Sequence, residues 1–306
     1  MVLKNVLFII ISCICFSVIA QNNKDIKKIK KIIYTLAADS MQGRASSSIG
    51  EQKAKNYLSN YFKEMKLTNT NIHKFTFPKD SMHIETAYNI SGYIDNKTDS
   101  TIIIGAHYDH LGLGGSKSMS LTSSKIHNGA DDNASGVAIM LMLAEYLQAS
   151  SIKHQITNKY NYLFIAFSAH EDCLCGSQAF IKDKIYDLDR VKLMLNFDMV
   201  GRLDAINPVL KVIKRENNKY LDTLLCSINH NKFQIKIDES NISRSDATAF
   251  ASLSIPAVSF TTGIHDDYHK ISDKPEKINF EGMYQILEYC EGFLFEFNKT
   301  KEGKIY

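Results

Sequence analysis

Apolar residues recur along this chain in two rhythms. The stretch from Lys24 to Leu36 is rich in Lys and Ile at helical spacing, and Gly50 to Lys66 repeats the pattern more clearly, which predicts two amphipathic helices. His73 to Phe77 alternates apolar and polar, as a half-buried strand does. Tyr88 to Ile94 and Thr101 to Ala106 form two further strand patterns joined by a polar turn from Asp95 to Ser100. A Gly/Ser-rich loop, Gly112 to Ser124, then precedes a long apolar helix from about Ser135 to Ala149. The continuous apolar run from Tyr162 to Phe167 is the mark of a strand covered on both faces, and Leu193 to Phe197 and Ile255 to Phe260 are shorter ones, with Pro256 at the start of the last. A final helix covers roughly Phe280 to Phe297. Buried strands alternating with helices predict a three-layer α/β/α sandwich around a mixed, mostly parallel central sheet.

The beginning of the chain follows neither rhythm. Lys4 precedes an apolar run from Val6 to Ala20, too short to span a bilayer comfortably, and Val18-Ile-Ala20 before the polar Gln21 reads as a signal-peptidase site. This predicts a leader over residues 1–20, a mature exported domain over 21–306, and no stable membrane insertion after cleavage. A retained anchor and a lipoprotein processed at Cys13 are the competing readings, and the apolar stretch continuing past Cys13 weighs against the second. Cleavage removes Cys13 and Cys15 and leaves Cys173, Cys175, Cys226 and Cys290, whose pairing the sequence does not fix. The 306 residues are 44% hydrophobic and 23% charged, a globular composition without repeats or low-complexity linkers. A net charge of +3 with scattered lysines gives no nucleic-acid surface.

The chemistry-bearing residues sit at the C-terminal ends of the buried strands, where open α/β sheets place ligands. His107-Tyr-Asp109 follows one strand, Asn128-Gly-Ala-Asp131-Asp-Asn133 leads into the long helix, and His170-Glu171-Asp172 follows another. Asp198 ends a third strand, and Asp266-Asp-Tyr-His269 comes near the C-terminus. Singly, each is more often a cap or a satisfied polar group. Gathered, several carboxylates at one sheet edge demand a positive charge, and a set of imidazoles and carboxylates suits zinc.

These segments resemble metallopeptidase family 28. Gly105-Ala-His-Tyr-Asp-His-Leu-Gly112, Gly129-Ala-Asp-Asp-Asn-Ala-Ser-Gly136, Asn196-Phe-Asp-Met-Val-Gly-Arg202 and Asp267-Tyr-His269 match its motifs in order, from Met41-Gln-Gly-Arg44 to about Met283. The resemblance implies a zinc exopeptidase fold and two Zn2+ ions. Asp131 would bridge them, with His107 and Asp198 on one ion and Glu171 and His269 on the other. Asp109 would stand behind His107 and fix its tautomer. A cis peptide would follow the bridging residue, between Asp131 and Asp132. The implied activity is an aminopeptidase acting on peptides through a water shared by the two ions. A glutaminyl cyclase working with one zinc and a metal-dependent binding protein are the alternatives.

The pattern breaks at the general base. Where the family carries two glutamates, this chain has His170-Glu171, so the ligand is kept and the base replaced. Three accounts stand: His170 is the base, the site binds without hydrolysing, or another group such as Asp172 takes the proton. Cys173 replaces a usual glycine and Ala247 a frequent histidine, so specificity does not carry over. Arg202 is open between substrate contact and ion pairing.

Overall fold

A computed structural model describes residues 22–121, 124–152, 159–215, 218–228, 232–239 and 242–300. The leader expected over 1–20 lies outside them. Helix α1 spans residues 22–36 and α2 spans Ile49–Glu64. The Ser48 hydroxyl caps α2 by accepting the Glu51 N–H, and Glu51 returns the favour to the Ser47 N–H, close to a capping box.

Strands β1 (Thr68–Pro78), β2 (Ile84–Ile94), β3 (Ser100–His107), β4 (Tyr160–Phe167), β5 (Val191–Phe197), β6 (Val209–Lys214), β7 (Gln234–Asp238) and β8 (Ala257–Thr261) form one sheet in the order β1-β2-β4-β3-β5-β8-β6-β7. The central strands β4, β3, β5 and β8 are mutually parallel; the pairs β1–β2, β2–β4 and β8–β6 are antiparallel, and β7 runs parallel to β6. Thus β2 and β3, consecutive in sequence, do not pair: β4 lies between them.

Alternation along the central strands divides the core. Ile102 and Ile104 of β3 join one apolar cluster and Ile103 joins another; Leu193 and Leu195 of β5 face the first, Met194 the second. The first cluster is filled by α1, α2, α3 (Gly136–Ile152) and α7 (Phe280–Lys299). The second is filled by α4 (Cys175–Lys182) and α6 (Ala247–Ala251). Helices therefore cover both faces, as the strand patterns predict.

Strands β6 and β7, with α5 (Lys219–Ser227) between them, had no counterpart in the hydrophobic rhythm. The physical reason is Lys214. It fills a buried position of β6, its ammonium held 3.1 Å from Asp222 and 3.0 Å from Glu239. Among the described residues the cysteines, Cys173, Cys175, Cys226 and Cys290, are free thiols.

Arg44 ties the N-terminal turn to the loops at the sheet edge. Its guanidinium is fully buried and donates to the carbonyls of Leu36, Tyr108, Asn128 and Gly129 at 2.6–2.9 Å. Burial lowers its pKa to about 10, with Asp132 and Asp109 opposing the drop. Tyr108 lies beside the functional end of β3, and Asn128 and Gly129 enter the loop before α3, so Arg44 fixes two segments of the site at once.

Candidate metal centre

Because β3, β4, β5 and β8 run parallel, their C-terminal ends open at one edge. There β3 delivers His107 to His110, β4 delivers His170 and Glu171, β5 delivers Asp198, and the loop after β8 delivers His265 and His269. The loop entering α3 adds Asp131 and Asp132. Ala169, Met199 and His269, at or beside functional positions, all take left-handed φ of 53–56°, a conformation that costs L-residues energy and turns the chain sharply.

Two clusters result. In the first, His107 Nε2 lies 3.4 Å from Asp132 Oδ1 and 3.4 Å from Asp198 Oδ1. His170 stacks on His107 with ring centroids 3.7 Å apart, its Nε2 3.9 Å from Asp198 Oδ2. In the second, His269 Nε2 lies 3.4 Å from Asp132 Oδ2 and 3.3 Å from Glu171 Oε2. His110 Nδ1 completes it, 3.1 Å from Glu171 Oε1 and 3.6 Å from Asp132 Oδ2. The structure thus brings together His107, Asp198, Glu171 and His269, and places Asp132 between the two sets.

Asp131 is not in that position. Its Oδ1 accepts the Gly201 N–H at 2.6 Å and its Oδ2 lies 3.0 Å from His265 Nε2, so its carboxylate is spent on holding the loops. The cis peptide is Asp132–Asn133, one residue later than the resemblance implied. The doublet Asp131-Asp132 offers two carboxylates one residue apart, and only the conformation of the reversing loop decides which faces the clusters. Asp273 sets that conformation by accepting the N–H groups of both residues at 3.0–3.1 Å. Burial, with the Asp131 charge, raises the Asp273 pKa.

Asp109 acts behind the site. It is fully buried and accepts the N–H of His170 at 3.1 Å and of Glu171 at 3.2 Å, which fixes the turn bearing both. His107 Nδ1 reaches the Asp109 carbonyl at 3.2 Å, with Asp109 Oδ1 at 3.7 Å. Either contact leaves Nε2 of His107 directed at the carboxylates. Arg202 Nη2 pairs with Asp267 at 3.1 Å and Asp273 at 3.4 Å. Asp172 is buried and held by Lys79 at 3.0 Å and Lys117 at 2.5 Å. Those cations hold its pKa down against burial, and its oxygens are engaged away from the clusters.

His170 has its own partner. Its Nδ1 donates to Asp246 Oδ2 at 2.8 Å, and Asp246 is completely buried ahead of α6. Sequence reasoning missed Asp246 and His110. Both lie in motifs legible in the chain, but no spacing rule gives either a role.

The charge balance tests whether metal suits these residues. Burial and the neighbouring His107 charge lower the His170 pKa, but Asp246 and Asp198 outweigh them and raise it to about 9. Burial likewise opposes protonation of His269, yet Asp132 and Glu171 raise it to about 10. Glu171 is pressed upward by burial and brought well below its usual range by His110 and His269. The carboxylates thus hold protons on the histidines: the centre requires positive charge. Clustered imidazole nitrogens and carboxylate oxygens are the donor set of zinc, and a bound cation would take the place of those protons.

A pocket of about 250 Å³ opens beside both clusters. Asp132, His170, Asp198 and His269 line its floor; Met199, Ile213, Ile264 and Tyr268 supply apolar wall.

Comparison with known proteins places these residues. Residues 89–293, more than half of the chain and including every member of both clusters, match the family model described as Peptidase family M28. Leucine aminopeptidase 1 of Aspergillus fumigatus is 26% identical over 227 residues, which cover 68% of this chain and 55% of that protein. The chain thus spans about half the length of the curated relatives it matches. BSAP, a zinc aminopeptidase from Bacillus subtilis, superposes with a TM-score of 0.72 at 17% identity, over 90% of this chain and 96% of that one. A Bacteroides thetaiotaomicron glutaminyl cyclase superposes with a TM-score of 0.70 at 14% identity, over 88% and 97%. These structural likenesses show the fold.

Proposed function

This chain belongs to peptidase family M28, and we propose that it is an exported di-zinc aminopeptidase. The observation that carries the proposal is the Asp132 carboxylate, whose Oδ1 faces His107 and whose Oδ2 faces His269, each at 3.4 Å. His107 and Asp198 would hold one ion with Asp132, and Glu171 and His269 the other. Zinc bound there supplies a Lewis acid for a scissile carbonyl and lowers the pKa of water.

The chain's own residues do the rest. His170 lines the pocket beside the first cluster. With Nδ1–H given to Asp246, and with bound cations in place of the proton that the carboxylates otherwise hold on the ring, its Nε2 would accept the proton of the attacking water and return it to the leaving amine. Asp109 holds the turn on which His170 and Glu171 stand. Met199, Ile213, Ile264 and Tyr268 receive the side chain of the residue to be released. Export rests on the apolar run from Val6 to Ala20 and the cleavage pattern before Gln21.

The test is metal analysis of purified protein with a panel of aminoacyl reporters, before and after chelation. About two zincs per chain and chelator-sensitive turnover are expected; a metal content near zero sinks the proposal. The fold likeness to a glutaminyl cyclase favours the second reading, an acyl transferase. One zinc per chain and cyclisation of an N-terminal glutamine peptide, without hydrolysis, would establish it instead. His170→Ala should lower kcat by roughly 10²–10⁴-fold while metal content holds.

A further inference from the structure

The two clusters are not equivalent. The first has His107 at 3.4 Å from both Asp132 and Asp198, and His170 at the longer distance of 3.9 Å from the nearest Asp198 oxygen, within 4.8 Å of His107 and Asp198. The second has four side chains drawn together. Its cross distances are 3.1 Å for His110–Glu171, 3.3 Å for His269–Glu171, 3.4 Å for His269–Asp132 and 3.6 Å for His110–Asp132. Neighbouring ligands at about 2.0–2.1 Å in a tetrahedron stand about 3.3–3.4 Å apart. Each of these four separations lies close to that value, and one atom each of His110, Asp132 and Glu171 lie within 4.8 Å of one another.

We propose that His110 is a fourth protein ligand of the second subsite, closing it, so that the first subsite alone keeps room for water and substrate. The inference rests on the di-zinc assignment above and adds a residue to it.

Three further observations support the proposal. His110 is buried at the foot of the second cluster with Nδ1 toward the carboxylates. Its Nε2 is buried and finds no hydrogen-bond partner among the described residues, so the ring's one polar engagement is with the cluster. The ring is seated by Gly129, at φ +57°: a Cβ there would lie 2.6 Å from His110 Cγ and Cδ2 and 2.2 Å from the Asp132 carbonyl oxygen. Any side chain at 129 would push His110 and Asp132 apart. Closed four-ligand zinc sites are structural, whereas catalytic ones keep a position open. The second ion would then brace Asp132 and Glu171, and chemistry would belong to the ion beside His170.

The experiment is zinc titration of the full mature chain against a competing chelating dye, for wild type and His110→Ala, with the cobalt-substituted visible spectrum of each. Outer-shell partners of metal ligands cost roughly 10–100-fold in affinity when removed, and a direct ligand should cost at least as much. The expected result is wild-type affinity for one ion, at least a tenfold loss for the other, and a changed cobalt band for that ion alone. Unchanged affinity and spectrum at both sites overturn the proposal while leaving the di-zinc reading intact; a wild type that binds no metal fails that reading instead. X-ray absorption at the zinc edge of the wild type decides the matter even if the variant does not fold. Measured also on His170→Ala, which removes the other imidazole near the first subsite, it should still show at least three imidazoles over two zincs, and two would overturn the assignment.

Discussion

Asp131 and Asp132 are neighbours in the chain with unrelated duties: Asp131 binds the Gly201 N–H and His265, while Asp132 divides its oxygens between His107 and His269. One carboxylate holds the loops and the other faces the clusters. Both depend on Asp273, whose oxygens collect the two backbone N–H groups.

Substitution separates the two roles. Asp132→Ala should lose both ions together with activity, because each cluster shares that carboxylate. Asp131→Asn should keep its metal and lose stability, since the His265 and Gly201 contacts weaken. Metal analysis of the two variants side by side checks this, and full metal retention in Asp132→Ala would refute the bridging role.

The His170–Asp246 contact predicts a positioning effect. Asp246→Asn keeps the shape but can present N–H where His170 Nδ1–H now donates, favouring the tautomer with Nε2 protonated. We expect kcat to fall by about 10²-fold or more with KM and zinc content little changed. A drop in metal content matching the loss of activity would mean that Asp246 serves the ligands rather than the base.

How much of this was legible can be argued from particular residues. The central strands declared themselves because burial on both faces writes an unbroken apolar run, as in Tyr162 to Phe167. Strand β6 did not, since Lys214 occupies a buried position there and its charge is met by Asp222 and Glu239 only in three dimensions. His107 closes β3, Asp198 follows β5 and Glu171 stands in the turn after β4, positions to which the apolar runs of the sequence point. Which of Asp131 and Asp132 faces the clusters is not legible in the sequence, because the conformation of their reversing loop is set by Asp273, over 140 residues away. The role of Cys173 and Cys175 stayed open in sequence, and both are free thiols.

Arg44 predicts a large stability effect far from any substrate. Arg44→Met keeps the apolar stem but strips donors from four buried carbonyls. Buried charged networks that lose a member typically cost about 3–5 kcal/mol. Urea unfolding should show a loss of that order, and a change below about 1 kcal/mol would show that the loops are held by other contacts.

Glu291 on α7 carries a pH prediction that can be worked through in sign. Burial, with Asp25 and Glu288 adding like charge, pushes its pKa up to about 7 in the folded chain. In the unfolded chain it returns to the ordinary range near 4.3. Between these values the folded protein binds more protons than the unfolded one, so this group makes stability fall as pH rises through the window, and above pH 7 the whole cost is present. Glu291→Gln removes the charge and keeps the shape. Its stabilisation should therefore be absent near pH 4, grow through pH 5–7 and level off by pH 8. Because the carboxylate is only partly buried, solvent screening trims the effect to about 1 kcal/mol, or about 2 °C in Tm for a domain of this size. Thermal melts of both proteins at pH 4, 6 and 8 measure it. A Glu291→Gln variant equally stabilised at pH 4 and pH 8 would show that packing, and not ionisation, separates the two side chains.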